Sequence, residues 1–112
     1  MLIPTPIVLG TRLAQVYKRN GIIMLRITLL SQNREEATLK VEGRITGTDV
    51  ALLEREIRGK FERSQRLVLE LQGLKHIDRE GVELLKHWSA DKLILRDSSV
   101  FVRTLLRTHG LE

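Results

Sequence analysis

The stretch LVLELQGLKHIDREGVELL, from Leu67 to Leu85, decides the fold. Its apolar run, with the β-branched Val68 inside it, predicts a strand over 66–71 that is buried on both faces. After a short connection, Asp78 predicts a helix N-cap, and Glu80 places a negative charge in the first turn, where the helix dipole favours it. In open α/β sheets, ligands and partners usually meet the protein at such a strand end. The tip of this helix is therefore the first candidate for a functional surface.

The segments before this stretch predict a hairpin and a helix. A strand over Leu25–Leu30, the polar turn SQNREE and an alternating strand over Ala37–Ile45 indicate antiparallel pairing, because the link between them is short. An apolar stripe of Val50, Leu53, Ile57 and Phe61 then predicts a helix that ends near Phe61, with Thr46 or Thr48 as its N-cap. The order strand, helix, strand implies a right-handed crossover and parallel pairing within a mixed sheet.

The segments after the central strand predict two more helices and a strand. The first helix spans Arg79–Ser89 and directs Val82, Leu85 and Trp88 toward the core. A short strand over Leu93–Leu95 follows it. The last helix is predicted to start at Asp97 or Ser98 as N-cap and to stop at Gly110.

Three segments together resemble the STAS domain family, which includes anti-sigma factor antagonists and the cytosolic tails of sulfate transporters. The opening stretch is similar to the family's strand, loop and Asp-Ser-Ser-Gly-Leu helix start, with Asp78 and Gly81 at the motif's Asp and Gly. LKVEGRIT, Leu39–Thr46, resembles the strand that ends in Gly-Glu-Leu-Asp, and DKLILRDSSVFVRTLLRTHGL resembles the closing strand and helix. The resemblance implies a STAS-like α/β domain with a small, four-stranded mixed sheet and about three helices.

We expect this domain to span residues 24–112 and residues 1–23 to form an N-terminal extension. Pro4 and Pro6 argue against a helix or a central strand at the apolar start. The segment 10–20 favours a short basic amphipathic helix, but only weakly. Two explanations stay open: Met24 is the natural initiator, or the extension is poorly ordered. The start lacks a basic region and a cleavage site, so no secretory signal is predicted. Its apolar run is too short to span a bilayer, so no membrane span is predicted.

The resemblance has one important departure. The family's regulatory phosphoserine precedes the motif Gly, and Glu80, which has no hydroxyl, occupies that position here. The resemblance therefore implies a bacterial regulatory protein whose partner is an anti-sigma factor or a serine kinase-like protein, but no phosphorylation at the family position. Two alternatives follow: either the partner is fixed and binds independently of a kinase, or its binding is constitutively weakened. The implied partner-binding residues are Thr46, which replaces an Asp of the family, and Lys75, His76, Asp78, Arg79, Glu80 and Gly81.

The composition limits the other classes of function. A chain of 112 residues without Cys forms one domain with no disulfide and no thiol nucleophile, which is typical of the cytoplasm. The net charge of +5 raises a nucleic-acid-binding alternative, but the chain after residue 23 carries 16 basic and 14 acidic residues in an interspersed pattern. Such a binder would lose affinity steeply with salt. A second alternative, a nucleotide or small-ligand sensor, would be stabilised thermally by its ligand.

No pattern in the sequence indicates catalysis. The three histidines are predicted in a loop (His76), a helix (His87) and a helix end (His109), and none has a partner at a metal-ligand spacing. The sequence contains no nucleophile elbow, phosphate-binding loop or dinucleotide fingerprint. We therefore predict a non-catalytic protein that needs no cofactor or metal.

Overall fold

The computed structural model describes residues 4–9, 12–90, 92–108 and 110. Within these ranges the chain forms ten elements, in the order β1 (Pro4–Leu9), β2 (Arg12–Arg19), β3 (Ile22–Gln32), β4 (Glu36–Ile45), α1 (Asp49–Phe61), β5 (Arg66–Glu70), β6 (Leu74–Ile77), α2 (Arg79–Ser89), β7 (Leu93–Arg96) and α3 (Val100–Thr108). The predicted α2 is confirmed with the same bounds, and the helices and strands predicted after residue 23 are confirmed with ends that differ by a few residues.

The strands within the described ranges form one mixed sheet of seven, with the order β1-β2-β3-β4-β5-β7. Strands β1 to β4 pair antiparallel, whereas β4 with β5 and β5 with β7 pair in parallel. The short β6 pairs in parallel with the end of β4, beyond the last residue of β5. The α/β class is confirmed, but the predicted count of four strands is wrong because β1, β2 and β6 also join the sheet.

The helices cover one face of this sheet. Alternate side chains of the paired strands β4 and β5, such as Leu39 and Leu69, are fully buried and pack in one cluster with residues from all three helices. The opposite face of the same strands buries Val68, so the centre of β5 is buried on both faces as predicted, and it carries charge pairs, including Arg66 with Glu36 at 3.6 Å. The register of β4 with β5 is fixed, because a slip of one residue would turn the charged side chains into the core.

Strand β2 occupies a segment for which the sequence weakly favoured a helix, and that prediction is wrong. Ala14 and Val16 on one face and Tyr17 on the other are buried, so the segment has apolar side chains with the period of two that a strand requires. The Tyr17 hydroxyl donates to Glu56 Oε1 of α1 at 3.5 Å. Burial, followed by the charge of Glu56, raises the pKa of Tyr17 to about 12.

The description of residues 1–23 as a poorly ordered extension does not fit residues 4–9 and 12–19, which form β1 and β2. The prolines of β1 are tolerated because this strand lies at the edge of the sheet, where a missing backbone donor costs little. The start of the domain at residue 24, and Met24 as the natural initiator, stay predictions.

The ends of α3 differ partly from the prediction. The hydroxyl of Ser99 accepts a hydrogen bond from the Val102 amide at 3.3 Å, so Ser99 is the capping residue rather than Asp97 or Ser98. Asp97 has a positive φ of 58° and turns the chain before the helix. The stop is confirmed, because Gly110 has φ of +81° and donates to the helix carbonyl of Arg107 at 3.0 Å. His109 lies outside the described residues.

Candidate functional site

The candidate site lies where β4 and β6 end side by side. Their last residues, Ile45 and Ile77, are register partners in a parallel pair, so the chain leaves the sheet at the same edge after both strands. Residues 46–49 connect β4 to α1, and residues 78–81 connect β6 to α2. We call these two segments together the tip.

Asp78 connects the two segments of the tip. Its Oδ1 accepts a hydrogen bond from the Gly81 amide at 2.9 Å, which confirms Asp78 as the N-cap of α2. Its Oδ2 accepts a second hydrogen bond, also of 2.9 Å, from the amide of Gly47 in the segment before α1. The backbone amide of Asp78 donates to the Ile45 carbonyl at 3.0 Å. Both carboxylate oxygens therefore hold the tip together, and one side chain fixes the distance between the two helix starts.

Asp49 organises the start of α1 from inside the helix. Its Oδ2 accepts from the amide and the hydroxyl of Thr46, at 3.3 and 3.4 Å. The side chain is 2% exposed, and Oδ1 has no hydrogen-bond partner within the described ranges. Of the two predicted N-cap residues, Thr46 and Thr48, the structure has Thr48, but its side chain makes no capping hydrogen bond. The sequence had not indicated Asp49, although Thr46-x-x-Asp49 has the spacing of a capping box.

The first turn of α2 places its side chains in two directions. Arg79 and Glu80 are exposed, whereas Gly81 is buried against the ends of the two strands. A Cβ added at Gly81 would lie 2.6 Å from Cγ1 of Ile77, which is too close, and 3.0 Å from Cγ2 of Ile45, which is tight. Glycine thus lets α2 begin in contact with the sheet, and this contact directs Glu80 toward solvent.

Two of the predicted partner-binding residues lie before the tip, on β6. His76 was predicted in a loop, and the correction follows from backbone pairing, since β6 joins the end of β4. The His76 ring lies 6.1 Å from the ring of Phe101 on α3, at a tilt of 31°. Lys75 is exposed. The structure therefore brings Thr46, Asp78, Arg79, Glu80 and Gly81 together at the tip and leaves Lys75 and His76 beside it.

Comparisons with known proteins were made for the sequence and for the fold. No family model matches the sequence, and no curated protein matches it. The fold is similar to that of the anti-sigma factor antagonist SpoIIAA in its unphosphorylated form, with a TM-score of 0.66 and 20% identity over 76% of this chain and 81% of that chain. It is also similar to the phosphorylated form of the Bacillus cell fate determinant SpoIIAA, with a TM-score of 0.58 and 19% identity over 76% of this chain and 84% of that chain. The chain has a STAS-like fold.

The STAS-like fold confirms the resemblance read from the three sequence segments. At the tip, the charged side chains of Arg79 and Glu80 are exposed. Among the residues that the structure describes, no group of three or more His, Asp or Glu side chains is placed to hold a metal ion. Within the same ranges, no helix has the length and apolar character needed to cross a membrane.

Proposed function

We propose that this chain is a non-catalytic regulatory domain that binds a partner protein through the tip, as an anti-sigma factor antagonist would. The observation that carries the proposal is the double use of Asp78, whose carboxylate joins Gly81 to Gly47 by two hydrogen bonds of 2.9 Å. The STAS-like fold supports the class of partner, an anti-sigma factor or a serine kinase-like protein of the bacterial cytoplasm. Thr46, Lys75, His76, Asp78, Arg79, Glu80 and Gly81 are the proposed contact residues.

A surface that is held together before binding loses little conformational entropy when a partner docks. At the tip, the two loops are tied to each other by Asp78, and each loop is also bonded within itself, through Thr46 with Asp49 and through Asp78 with Gly81. The exposed groups, Arg79 and Glu80, stand on the first turn of a helix and not on a free loop. The geometry supports a ready-made docking surface better than a site that must close around a small ligand.

Glu80 makes the charge of this surface permanent. A phosphoserine at this position would carry roughly −1.5 to −2 charges and could be added or removed by enzymes. Glutamate carries one negative charge, and the positive end of the helix dipole stabilises it there. We therefore propose that partner binding at the tip depends on Glu80 and does not respond to a kinase.

The variant Glu80→Ser tests this proposal, and Glu35→Ser is the matched control, since it removes the same charge from an exposed residue in the β3–β4 turn, at the opposite edge of the sheet. Affinity is measured by calorimetry against each purified anti-sigma factor and kinase-like protein encoded in the same genome. We expect Glu80→Ser to change the affinity for one of them about tenfold and Glu35→Ser to leave it unchanged. A gain indicates that Glu80 constitutively weakens the complex, and a loss indicates a fixed partner that requires the charge.

The same samples are incubated with the kinase-like proteins and labelled ATP. The wild type is expected to take up no phosphate at position 80 because Glu80 offers no hydroxyl, whereas Ser at this position restores an acceptor. If the Glu80→Ser variant changes neither a partner's affinity nor the phosphate incorporated, the tip is not a regulatory surface and the proposed function fails.

A further inference from the structure

A groove next to the tip combines exposed apolar side chains with positive charge. It lies at the end of the β2–β3 hairpin, where Ile22 and Ile23 are 64% and 44% exposed. Two adjoining depressions, with volumes of about 350 and 330 Å³, share Ile23, Gly43 and Lys75 in their walls. Because β3 runs antiparallel to β4, this end of the hairpin lies at the sheet edge where the tip also lies. We call this concave surface the hairpin groove.

The backbone builds the hairpin groove. Asn20 and Gly21 both have positive φ, of 52° and 75°, and form the tight turn that delivers Ile22 to the start of β3. Gly43 in the wall has φ of +102°, and an added Cβ there would clash with the Met24 carbonyl oxygen of β3. This close approach of the two strands therefore requires a glycine.

The cations of the hairpin groove lack the partners that other strand cations have. Arg26, Arg44 and Lys75 line the groove, and none of them makes an ion pair with a residue in the described ranges. Arg66, on β5, is paired instead with Glu36 at 3.6 Å. The Nε of Arg26 is buried without a hydrogen-bond partner among the same residues. Exposed apolar side chains rimmed by charged ones can mark interaction sites, and across an interface a positive patch meets a negative one.

One carboxylate in the groove cancels only part of this charge. Glu42 lies in the wall as the register partner of Arg26, and its Oε2 is 4.0 Å from Nζ of Lys40. The lining of the two depressions thus holds three cations and one carboxylate. The groove therefore keeps an excess of positive charge next to its apolar wall. A ligand that fits this surface carries both carboxylates and large apolar side chains.

We propose that the hairpin groove binds an acidic segment of a partner protein, with apolar side chains of that segment packed on Ile22 and Ile23. The concave shape and the volume favour a peptide over a flat bilayer surface, which would require the apolar side chains to protrude. This inference goes beyond the proposed function. No residue of the tip lines the groove, and among the proposed contact residues the groove contains Lys75 alone.

The test uses phage-displayed random peptides selected on the full chain, followed by affinity measurements on the synthesised peptides. The charge-reversal pair Arg44→Glu with Lys75→Glu changes two exposed groove residues, and the pair Arg63→Glu with Lys86→Glu, also exposed, makes the same change in net charge elsewhere. We expect peptides rich in aspartate and glutamate that contain a large apolar residue. The affinity of these peptides for the double variant Arg44→Glu/Lys75→Glu (the groove pair) should be about tenfold or more lower than for the wild type. Their affinity for the double variant Arg63→Glu/Lys86→Glu (the control pair) should stay within about twofold of the wild type.

A second pair of variants tests the apolar wall. Ile22→Thr keeps a β-branched residue in the strand but removes apolar area, and Val100→Thr makes a comparable change at a residue of α3 that is 81% exposed. We expect a severalfold loss of peptide affinity for Ile22→Thr and none for Val100→Thr. Thermal unfolding of every variant establishes that it is folded before binding is interpreted.

Four results would overturn the inference: no peptide is enriched, the enriched peptides are not acidic, acidic peptides bind the groove pair as tightly as the wild type, or the chain binds phosphatidylserine vesicles through these residues instead of peptides. Glu80→Ser separates this inference from the proposed function. This variant should leave peptide binding unchanged. Peptide affinity therefore tests the groove, and affinity for the anti-sigma factors and kinase-like proteins tests the tip.

Discussion

The two helices that begin at the tip start in different ways, although each follows a strand of the same parallel pair. Asp78 precedes α2 with an extended backbone (φ −86°, ψ 178°), caps its own helix and also reaches the other loop at Gly47. Asp49 is the first residue of α1 and turns back onto Thr46 within its own segment. One carboxylate joins two parts of the molecule, and the other serves only the segment that contains it.

The difference shows that the position of an aspartate relative to the helix start decides what it can hold. An aspartate just before the helix has an extended backbone, so its two oxygens can face the helix and a neighbouring loop at the same time. An aspartate one step later is already committed to helical geometry, and here its bonds are long, at 3.3 and 3.4 Å, compared with 2.9 Å at Asp78. We therefore expect the stability of the tip to depend mainly on Asp78.

Asp78→Ala is expected to have the largest effect. It removes a helix cap, for which losses of about 0.5–2 kcal/mol are usual, and the bond to Gly47, for which about 1 kcal/mol is usual, so the free energy of unfolding should fall by about 1.5–3 kcal/mol. Asp78→Ser keeps a capping oxygen but is too short to reach Gly47, and should lose about 1 kcal/mol. Urea unfolding measures both variants. Equal losses for Ala and Ser would show that the cap contributes nothing here.

The glycines of the two segments offer a second, smaller contrast. Gly81→Ala places a Cβ 2.6 Å from Cγ1 of Ile77, and crowding a packed core in this way should cost about 1–3 kcal/mol, of which the better helix propensity of Ala recovers a part. Gly47→Ala meets no atom within 4 Å, but its φ of +52° should cost about 1 kcal/mol. Asn tolerates positive φ, so Gly47→Asn should restore stability, whereas Gly81→Asn should not. Restoration at both positions, or at neither, in thermal unfolding would contradict this assignment.

The sequence predicted those features that depend on neighbours close in the chain. Asp78 as N-cap and the bounds of α2 follow from residues within one helix, and the stripe containing Leu53 and Ile57 correctly indicated the buried side of α1. The bond from Asp78 to Gly47 joins residues 31 positions apart, and no local pattern indicates it. It arises only because β4 and β6 end at the same edge.

Strands β2 and β6 were not predicted from the sequence for a related reason: each depends on pairing with residues outside its own segment. In β2, the spacing of Leu13, Val16 and Tyr17 fits a helix turn as well as a strand, and pairing with β3 decides between them. In β6, the four residues LKHI contain two polar side chains and are too short to show a period of two. Both segments are strands because a neighbouring strand supplies hydrogen bonds, and this information is not contained in the segments themselves.

Asp49→Ala should have the smallest effect of the three aspartate and glycine contrasts, about 1 kcal/mol or less. Its hydrogen bonds from Thr46 are long, and Oδ1 is buried without a partner among the described residues, so the carboxylate in the wild type already bears a desolvation cost that the variant removes. Asp49→Asn keeps an acceptor for the Thr46 amide without the charge and should be closer still to the wild type. Urea unfolding of both variants beside Asp78→Ala gives the comparison directly. If Asp49→Ala cost as much as Asp78→Ala, the two helix starts would be energetically equivalent, and the bond between the loops would not be what holds the tip.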